Sequence, residues 1–345
     1  MQPRISMKDK KTGVCYAVTD DGLELPVIDV THPAFLIPLS DRELDELLQR
    51  HLKDLKRQAR APVFIRRLMI GYMQRHSSLM RAISAAAGTF LGGMNTYIMK
   101  LGPDNLDDGY ATDLDRKLTA SLPVLAMRLR LQDIAHLLAD GLAPALAADG
   151  KAALHLLNIG GGTAIDSLNA LIVLQKEHPG LLAGRRILIH ILDLDEAGPN
   201  FGGQALASLR AENGPLHGLE VRFEHVKYDW SKTTVLRQLV RSFDGQGMIM
   251  AASSEGALFE YGSDEEITAN LQALHEAVSS HAIVAGTVTR ADELGRLLNS
   301  GSQAALNLRG LGAFTSLALR SGWKITKQID RPLSHDILME NQQLP

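Results

Sequence analysis

Hydrophobic positions change their period partway along the chain. Over the first 145 residues they recur at helical spacing. Leu44, Leu47, Leu48, Leu52 and Leu55 fall on one face of a predicted helix, with Lys and Arg on the other. Ser40 and Glu43 make a Ser-x-x-Glu capping box at its start, and Leu39 and Leu44 close a hydrophobic staple across it. Helical patterns continue over 63–75, 79–91 and 114–138, with Pro123 expected to end or kink the last. A short hairpin is expected from 14–18 and 23–27 about Asp20-Asp21-Gly22. Gly102–Gly109 reads as a loop.

After Lys151 short apolar runs alternate with longer amphipathic segments. The runs are Ala153–Ile159, Ile187–Leu194, Leu219–Val226, Met248–Ala252 and Ile283–Val288, followed by the pair Trp323–Ile329 and Leu333–Leu338. Such alternation predicts an α/β fold with a doubly wound, mainly parallel sheet. The Ala-rich stretch Ala139–Lys151, with Gly141, Pro144 and Gly150, is the expected boundary. It divides the chain into a helical, substrate-selecting cap (1–145) and a Rossmann-like domain (146–345). In doubly wound sheets ligands bind outside the carboxyl ends of the strands, so the loops after these runs are where chemistry is expected.

Composition narrows the class. The 345 residues carry 36 basic and 39 acidic side chains, a net charge of -3, which offers no global case for a nucleic-acid partner. The basic face of the 40–59 helix reads as solvated. One cysteine, Cys15, excludes an internal disulfide framework and a cysteine-cluster zinc site, and fits a reducing, cytoplasmic compartment. The charged start, Met1–Lys11, lacks the apolar core of a secretory signal. Ala82–Met99 is uncharged but rich in small residues, which drive insertion poorly. It is expected to be a helix pair packed through Gly88, Gly92 and Gly93, and no membrane partner is expected.

Three glycines, Gly160-Gly161-Gly162, follow the first run and precede a helix. They let the chain turn tightly and a ligand approach the backbone, and the helix start offers unpaired N–H groups. A dinucleotide fingerprint starting at Gly160 would need Gly or Ala where Ile165 stands, and no Gly-Lys-Ser/Thr follows to make a P-loop. Asp193, at the end of the second run, is placed to accept from both hydroxyls of a ribose. Asp195 reads as a helix N-cap. On these residues alone a structural turn, a turn acid and an Asp-x-Asp metal pair remain open.

Asn158-Ile159-Gly160-Gly161-Gly162-Thr163-Ala164, then Asp193, then Asp229-Trp230 after the third run together resemble the class I S-adenosylmethionine-dependent methyltransferases. The resemblance covers about the last 195 residues. It implies a seven-stranded sheet with its last strand antiparallel, and S-adenosyl-L-methionine as cofactor. It implies that Gly160, Gly161 and Gly162 pass beside the amino-acid end of the cofactor. Asp193, with Leu194 after it, would hold the ribose. Asp229 would accept from the adenine amino group, and Trp230 would contact the ring. Asn158 departs from the Asp or Glu common there, so the usual charge near the cofactor ammonium is missing.

The loop after the fourth run would lie beneath the sulfonium. It holds Ser253 and Ser254, expected to bind the cofactor, with Glu255 and Tyr261. Glu255 is a candidate base or cation-binding group and Tyr261 a candidate substrate contact. Ser263 or Asp264 reads as the cap of a helix over 265–277, and Glu260 as a surface acid. His335 is a candidate proton acceptor. His275 and His281 are six apart, the wrong spacing for a zinc helix, and no metal site is expected. In the cap, Tyr97 and Lys100 share a helix face, with Tyr97 a candidate site residue and Lys100 a candidate partner for a carboxylate. The expected function is methyl transfer to a small molecule. The alternatives are a cofactor-consuming cyclisation or aminocarboxypropyl transfer that releases methylthioadenosine, and a non-catalytic binding protein. The expected partner is a small-molecule substrate, and a homo-oligomer is compatible with the sequence.

Overall fold

The structure, a computed structural model, describes residues 10–86, 91–106, 109–243, 248–276, 281–300 and 306–342. The charged start over 1–9, Gly88, Asp107, Asp108 and Ala277 lie outside the described residues.

The first half opens with an antiparallel hairpin, β1 (Tyr16–Val18) and β2 (Glu24–Pro26), in which Val18 faces Glu24. Six helices follow: α1 (Asp41–Ala59), α2 (Val63–His76), α3 (Ser78–Ala85), α4 (Gly93–Lys100), α5 (Asp113–Thr119) and α6 (Leu122–Ala148). The capping box of α1 is formed: Glu43 N donates to Ser40 Oγ at 3.4 Å, and Ser40 N to Glu43 Oε2 at 2.8 Å. Its leucine stripe packs on Leu122, Leu125 and Leu129 of α6.

Pro123 neither ends nor kinks a helix. It stands in the first turn of α6, where a missing N–H breaks no intrahelical bond. The helical pattern over 114–138 is therefore two helices, broken at Ser121. Asp149 closes α6, so the Ala-rich stretch from 139 is the continuation of that helix and residue 145 falls within it. The α6 helix lies on α7 (Ile165–Glu177) and on the sheet. The small-residue segment also differs from expectation. Gly93 meets Gly162 and Gly198 of the second half rather than a helix of its own segment.

The second half supplies β3 (Ala153–Ile159), β4 (Arg186–Asp193), α8 (Ala197–Arg210), β5 (Glu220–Lys227), α9 (Thr234–Arg241), β6 (Met248–Ser254), α10 (Leu258–Tyr261) and α11 (Asp264–His275). It continues with β7 (Ala282–Thr289), α12 (Glu293–Asn299), α13 (Leu311–Arg320), β8 (Trp323–Asp330) and β9 (Ser334–Asn341). Seven strands form one sheet in the order β5-β4-β3-β6-β7-β9-β8. β3 to β7 run parallel, and β9 is antiparallel to both neighbours. The order reverses between β3 and β6, so the crevice at their carboxyl ends is the topological switch point. β3, β6 and β7 read as continuous apolar runs because both faces are covered.

Besides the leucine cluster under α1, one core cluster runs from Leu25 and Tyr97 through α6, α7 and α8, and another lies under α9, α11 and α13. The first joins both halves of the chain. Asn169 of α7 fastens that join: its side-chain oxygen accepts from Val30 N at 2.7 Å, and its Nδ2 donates to Ile28 O at 3.0 Å.

Two adjacent glycines of α8 give a paired test. A Cβ on Gly202 would stand 2.5 Å from Thr163 O and 2.7 Å from Phe223 Cζ, whereas one on Gly203 meets nothing nearer than 3.9 Å. Gly202→Ala is expected to cost about 1–3 kcal/mol through overpacking. Gly203→Ala is expected to be neutral or to stabilise by up to about 1 kcal/mol through helix propensity. Urea unfolding of the two variants checks both.

Candidate functional site

The carboxyl ends of β3, β4 and β5 and the loop after β6 converge on a cavity of about 260 Å³. Gly160 leaves β3 with φ +64°, a conformation that favours glycine. A Cβ there would stand 2.6 Å from Ala257 Cβ and 3.0 Å from the Trp230 ring, so the position is closed to side chains twice over. Gly162 passes so near α4 that a Cβ on Gly93 would sit 2.9 Å from its Cα. Backbone meets backbone, and α4 roofs the glycine loop.

Asp193 holds that loop from the next strand. Its Oδ2 accepts from Gly162 N at 2.8 Å and its Oδ1 from Asp195 N at 3.0 Å. Gly160, Gly161, Gly162, Asp193, Leu194, Asp229 and Trp230 all line the cavity. Asp229 accepts from Ser231 N at 3.0 Å and from Ser231 Oγ at 2.7 Å, and the hydroxyl bond first of all holds its carboxyl below the usual range. Asp195 caps no helix: α8 begins at Ala197, and Asp195 also lines the cavity.

Asn158, Ser253 and Ser254 stand behind the wall rather than in it. Asn158 Nδ2 donates to Ser253 Oγ at 2.7 Å and to Asp166 Oδ1, while its Oδ1 accepts from Ser167 Oγ at 2.8 Å. The Ser254 hydroxyl is buried without a partner among the described residues. Asp166, which sequence reasoning passed over, lines the cavity in their stead. Burial pushes its carboxyl up. The acid missing at Asn158 is thus present eight residues on, in the first turn of α7, held by Asn158 itself. An acid at the start of the helix after a glycine loop is the signal that could have found it.

The four candidate catalytic residues fare differently. Glu255 lines the cavity but is not a free base. Its Oε2 pairs with Lys100 Nζ and its Oε1 with Arg130 Nε, and Arg130 also reaches Glu260 Oε1 at 3.0 Å. Lys100 and Glu255 side chains are each only 5% exposed. Glu260 is buried in this network, not a surface acid. Arg130 and its pairing were missed because it lies 125 residues from Glu255, in a helix whose sequence resembles any apolar helix. Tyr261 lines the cavity, and burial beside Glu260 pushes its hydroxyl up to about 12. The Tyr97 ring lines the cavity, but its hydroxyl donates to Pro26 O at 2.7 Å and accepts from Ile28 N at 3.1 Å. It is a structural bolt between α4 and the hairpin. His335 is away from the cavity, bonded to Asp330 Oδ1 at 2.6 Å within the β8–β9 hairpin.

Beyond Arg130, the network continues as a buried acid pair. Arg331 grips Asp133 with two N–H groups, and Asp336 lies buried beside that carboxylate, accepting from Ser334 Oγ at 3.0 Å. Burial first, and Asp133 second, push the Asp336 carboxyl well above its usual range.

No family model and no curated protein matches the chain. Solved structures do match in fold. A possible exported protein from Bordetella parapertussis is 15% identical, with 87% of this chain and 96% of that chain covered and a TM-score of 0.57. A LepI variant in complex with SAH and a substrate analogue is 11% identical, covering 88% and 95%, with a TM-score of 0.44. Magnesium protoporphyrin IX methyltransferase from Synechocystis PCC 6803, with bound SAH, is 13% identical, covering 64% and 87%, with a TM-score of 0.42. The seven-stranded sheet with antiparallel β9 and helices before it is the fold of the S-adenosylmethionine-dependent methyltransferases.

Two outcomes are expected of the buried charges. Glu255→Ala leaves Lys100 buried without a counter-charge and is expected to cost about 3–5 kcal/mol, with Lys100→Met/Glu255→Leu recovering part of the loss in urea unfolding. Asp336 holds its proton to a higher pH folded than unfolded. Its contribution is therefore full below the unfolded carboxyl pKa of about 3.9 and is lost as pH rises through the folded value. Asp336→Asn is expected to gain stability over the parent as pH rises above that point, with the two curves closing together in acid.

Proposed function

We propose that the protein is an S-adenosylmethionine-dependent methyltransferase acting on a small molecule. We place it in a reducing, cytoplasmic compartment, with residues 1–145 as the part that selects the substrate. One observation carries the reading: three successive strand ends bring Gly160–Gly162, Asp193 and Asp229-Trp230 to the wall of one cavity.

The residues fit the cofactor. Asp193 accepts one N–H on each oxygen and keeps lone pairs for a ribose diol. Asp229 and Trp230 flank the place of the base, where the carboxylate accepts and the ring offers an apolar face. Asp166 supplies the acid toward the ammonium that position 158 lacks, and Lys100 supplies a cation toward the carboxylate. When bound, S-adenosylmethionine supplies a methyl group on a positively charged sulfur. The chain's part is to orient an acceptor against it and to exclude water, which the α4 roof does by sealing on the glycine loop. Glu255 is neutralised by two cations, burial pushes the Tyr261 hydroxyl up to about 12, the Tyr97 hydroxyl is spent on backbone and His335 is elsewhere. An acceptor that is nucleophilic without losing a proton to these four groups therefore suits the cavity best.

A second reading draws on the cavity itself. Sites for small molecules usually measure about 300–1,000 Å³. A chamber of about 260 Å³, with its polar end filled by the Lys100–Glu255 pair, favours a single occupant. Consumption of the cofactor without an external acceptor, with release of methylthioadenosine, is consistent with that.

Two measurements test the reading. Asp193→Ala removes two charge-assisted hydrogen bonds of roughly 1.5 kcal/mol each, so calorimetry is expected to show S-adenosylmethionine bound about a hundredfold more weakly. Unchanged affinity would sink the assignment of the site. Turnover with and without candidate acceptors identifies the product. Adenosylhomocysteine that depends on acceptor supports methyl transfer, methylthioadenosine formed without acceptor supports the second reading, and tight binding without turnover supports a non-catalytic protein.

A further inference from the structure

The α2 helix is the anomaly of the surface. It has no buried residue, although it is rich in large apolar side chains. Among the described residues, eleven large apolar side chains are exposed, and six of them are on α2: Val63, Phe64, Ile65, Leu68, Met69 and Tyr72. Phe64, Leu68 and Tyr72 are spaced four apart and form one ridge, 64%, 70% and 60% exposed. Ile70 and Met73 lie on the opposite, partly covered side. A contiguous apolar ridge of this kind marks a contact surface.

Charge identifies the partner. Residues 50–81 hold nine Lys or Arg side chains and one acid, Asp54, a net charge of +8 in a chain whose total is -3. On the helical wheel the exposed Ile65 and Met69 widen this ridge on the Tyr72 side, Arg66 stands beyond Met69 and Arg67 beyond Phe64, and Lys53, Lys56, Arg57, Arg60 and Arg75 are also exposed. The arrangement is an outward apolar ridge bordered by cations, on a helix of fourteen residues that is about 21 Å long and too short to cross a bilayer. No helix among the described residues is long and apolar enough to do so.

We propose that α2 docks flat on an anionic lipid surface. Phe64, Leu68 and Tyr72 enter the boundary between headgroups and acyl chains, and the flanking arginines meet the lipid phosphates. The absence of a membrane partner expected from the sequence rested on segments long enough to span, and this helix lies on the membrane instead. A second copy of the chain is a poorer occupant, because pairing α2 on α2 brings together two segments of net charge +8, each with Asp54 as its one acid. Nucleic acid is poorer too, because its phosphates would meet the apolar ridge before the arginines beside it.

The test uses the full chain and vesicles of phosphatidylcholine with and without phosphatidylglycerol. Co-sedimentation is expected only with phosphatidylglycerol and is expected to weaken as salt rises. Phe64→Ser/Leu68→Ser is expected to lower vesicle binding about tenfold or more without changing the melting temperature, since both side chains are already in water. Arg66→Glu/Arg67→Glu is expected to do the same. Three results overturn the proposal: no dependence on phosphatidylglycerol, vesicle binding unchanged in the Phe64→Ser/Leu68→Ser variant, or a dimer by light scattering that this variant alone dissolves.

Discussion

Lys100, Arg130, Glu255 and Glu260 are four charges taken out of water together. Two come from helices of the first half, Glu255 comes from the loop after β6 and Glu260 from α10 that follows it. None has a counter-ion nearby in sequence, so each is tolerable in the interior only when cap and sheet are assembled in one register. The constraint reaches further than its ion pairs. It fixes α4, and α4 carries Gly93 onto the glycine loop and Tyr97 onto the hairpin backbone. It fixes α6, and α6 carries Asp133 to Arg331 beside Asp336. The cavity wall, the hairpin and the far edge of the sheet are all referred to the same buried link.

Shared burial makes the two halves mutually dependent. The larger core cluster takes Leu25, Tyr97 and Leu106 from the first half and Leu168, Ile189 and Leu338 from the second. Asn169 adds polar fastening by giving both amide groups to the backbone at Ile28 and Val30. The glycines at this join serve a related end. Gly93, Gly162 and Gly198 let three backbones lie against one another, and a methyl on any of them would part them. The roof over the site is therefore close-packed, and its fit depends on positions that carry no side chain at all.

Periodicity made the sheet legible. Buried parallel strands such as β3, β6 and β7 leave continuous apolar runs, and all seven strands, the closing hairpin among them, were expected within a few residues. The strand-end motifs were legible too, because glycine and aspartate at such turns answer to local backbone needs. What stayed hidden was set by distance along the chain. Glu255 looks like a base in sequence, and only the fold shows the two cations that neutralise it, 155 and 125 residues away. His335 sits in a strand of the right sheet, but its ring is turned to Asp330. Pro123 is a helix breaker by rule, and here it opens a helix because the break at Ser121 sets it in the first turn. Asn158 donates to Asp166, a pairing of a strand end with the next helix that local sequence does not announce.

The hydrogen bonds from Gly162 N and Asp195 N to Asp193 tie the glycine loop to the next strand from within the chain. Their consequence is thermodynamic. A loop already ordered before binding loses little conformational freedom when a ligand arrives, so the contacts it makes are returned as affinity rather than spent on folding the site. Asp193 is in this sense a preorganising residue, whatever else its carboxylate holds. The exposed side chain of Leu194 and the half-buried one of Asp229 are what remains free to adapt at the rim of this ordered loop.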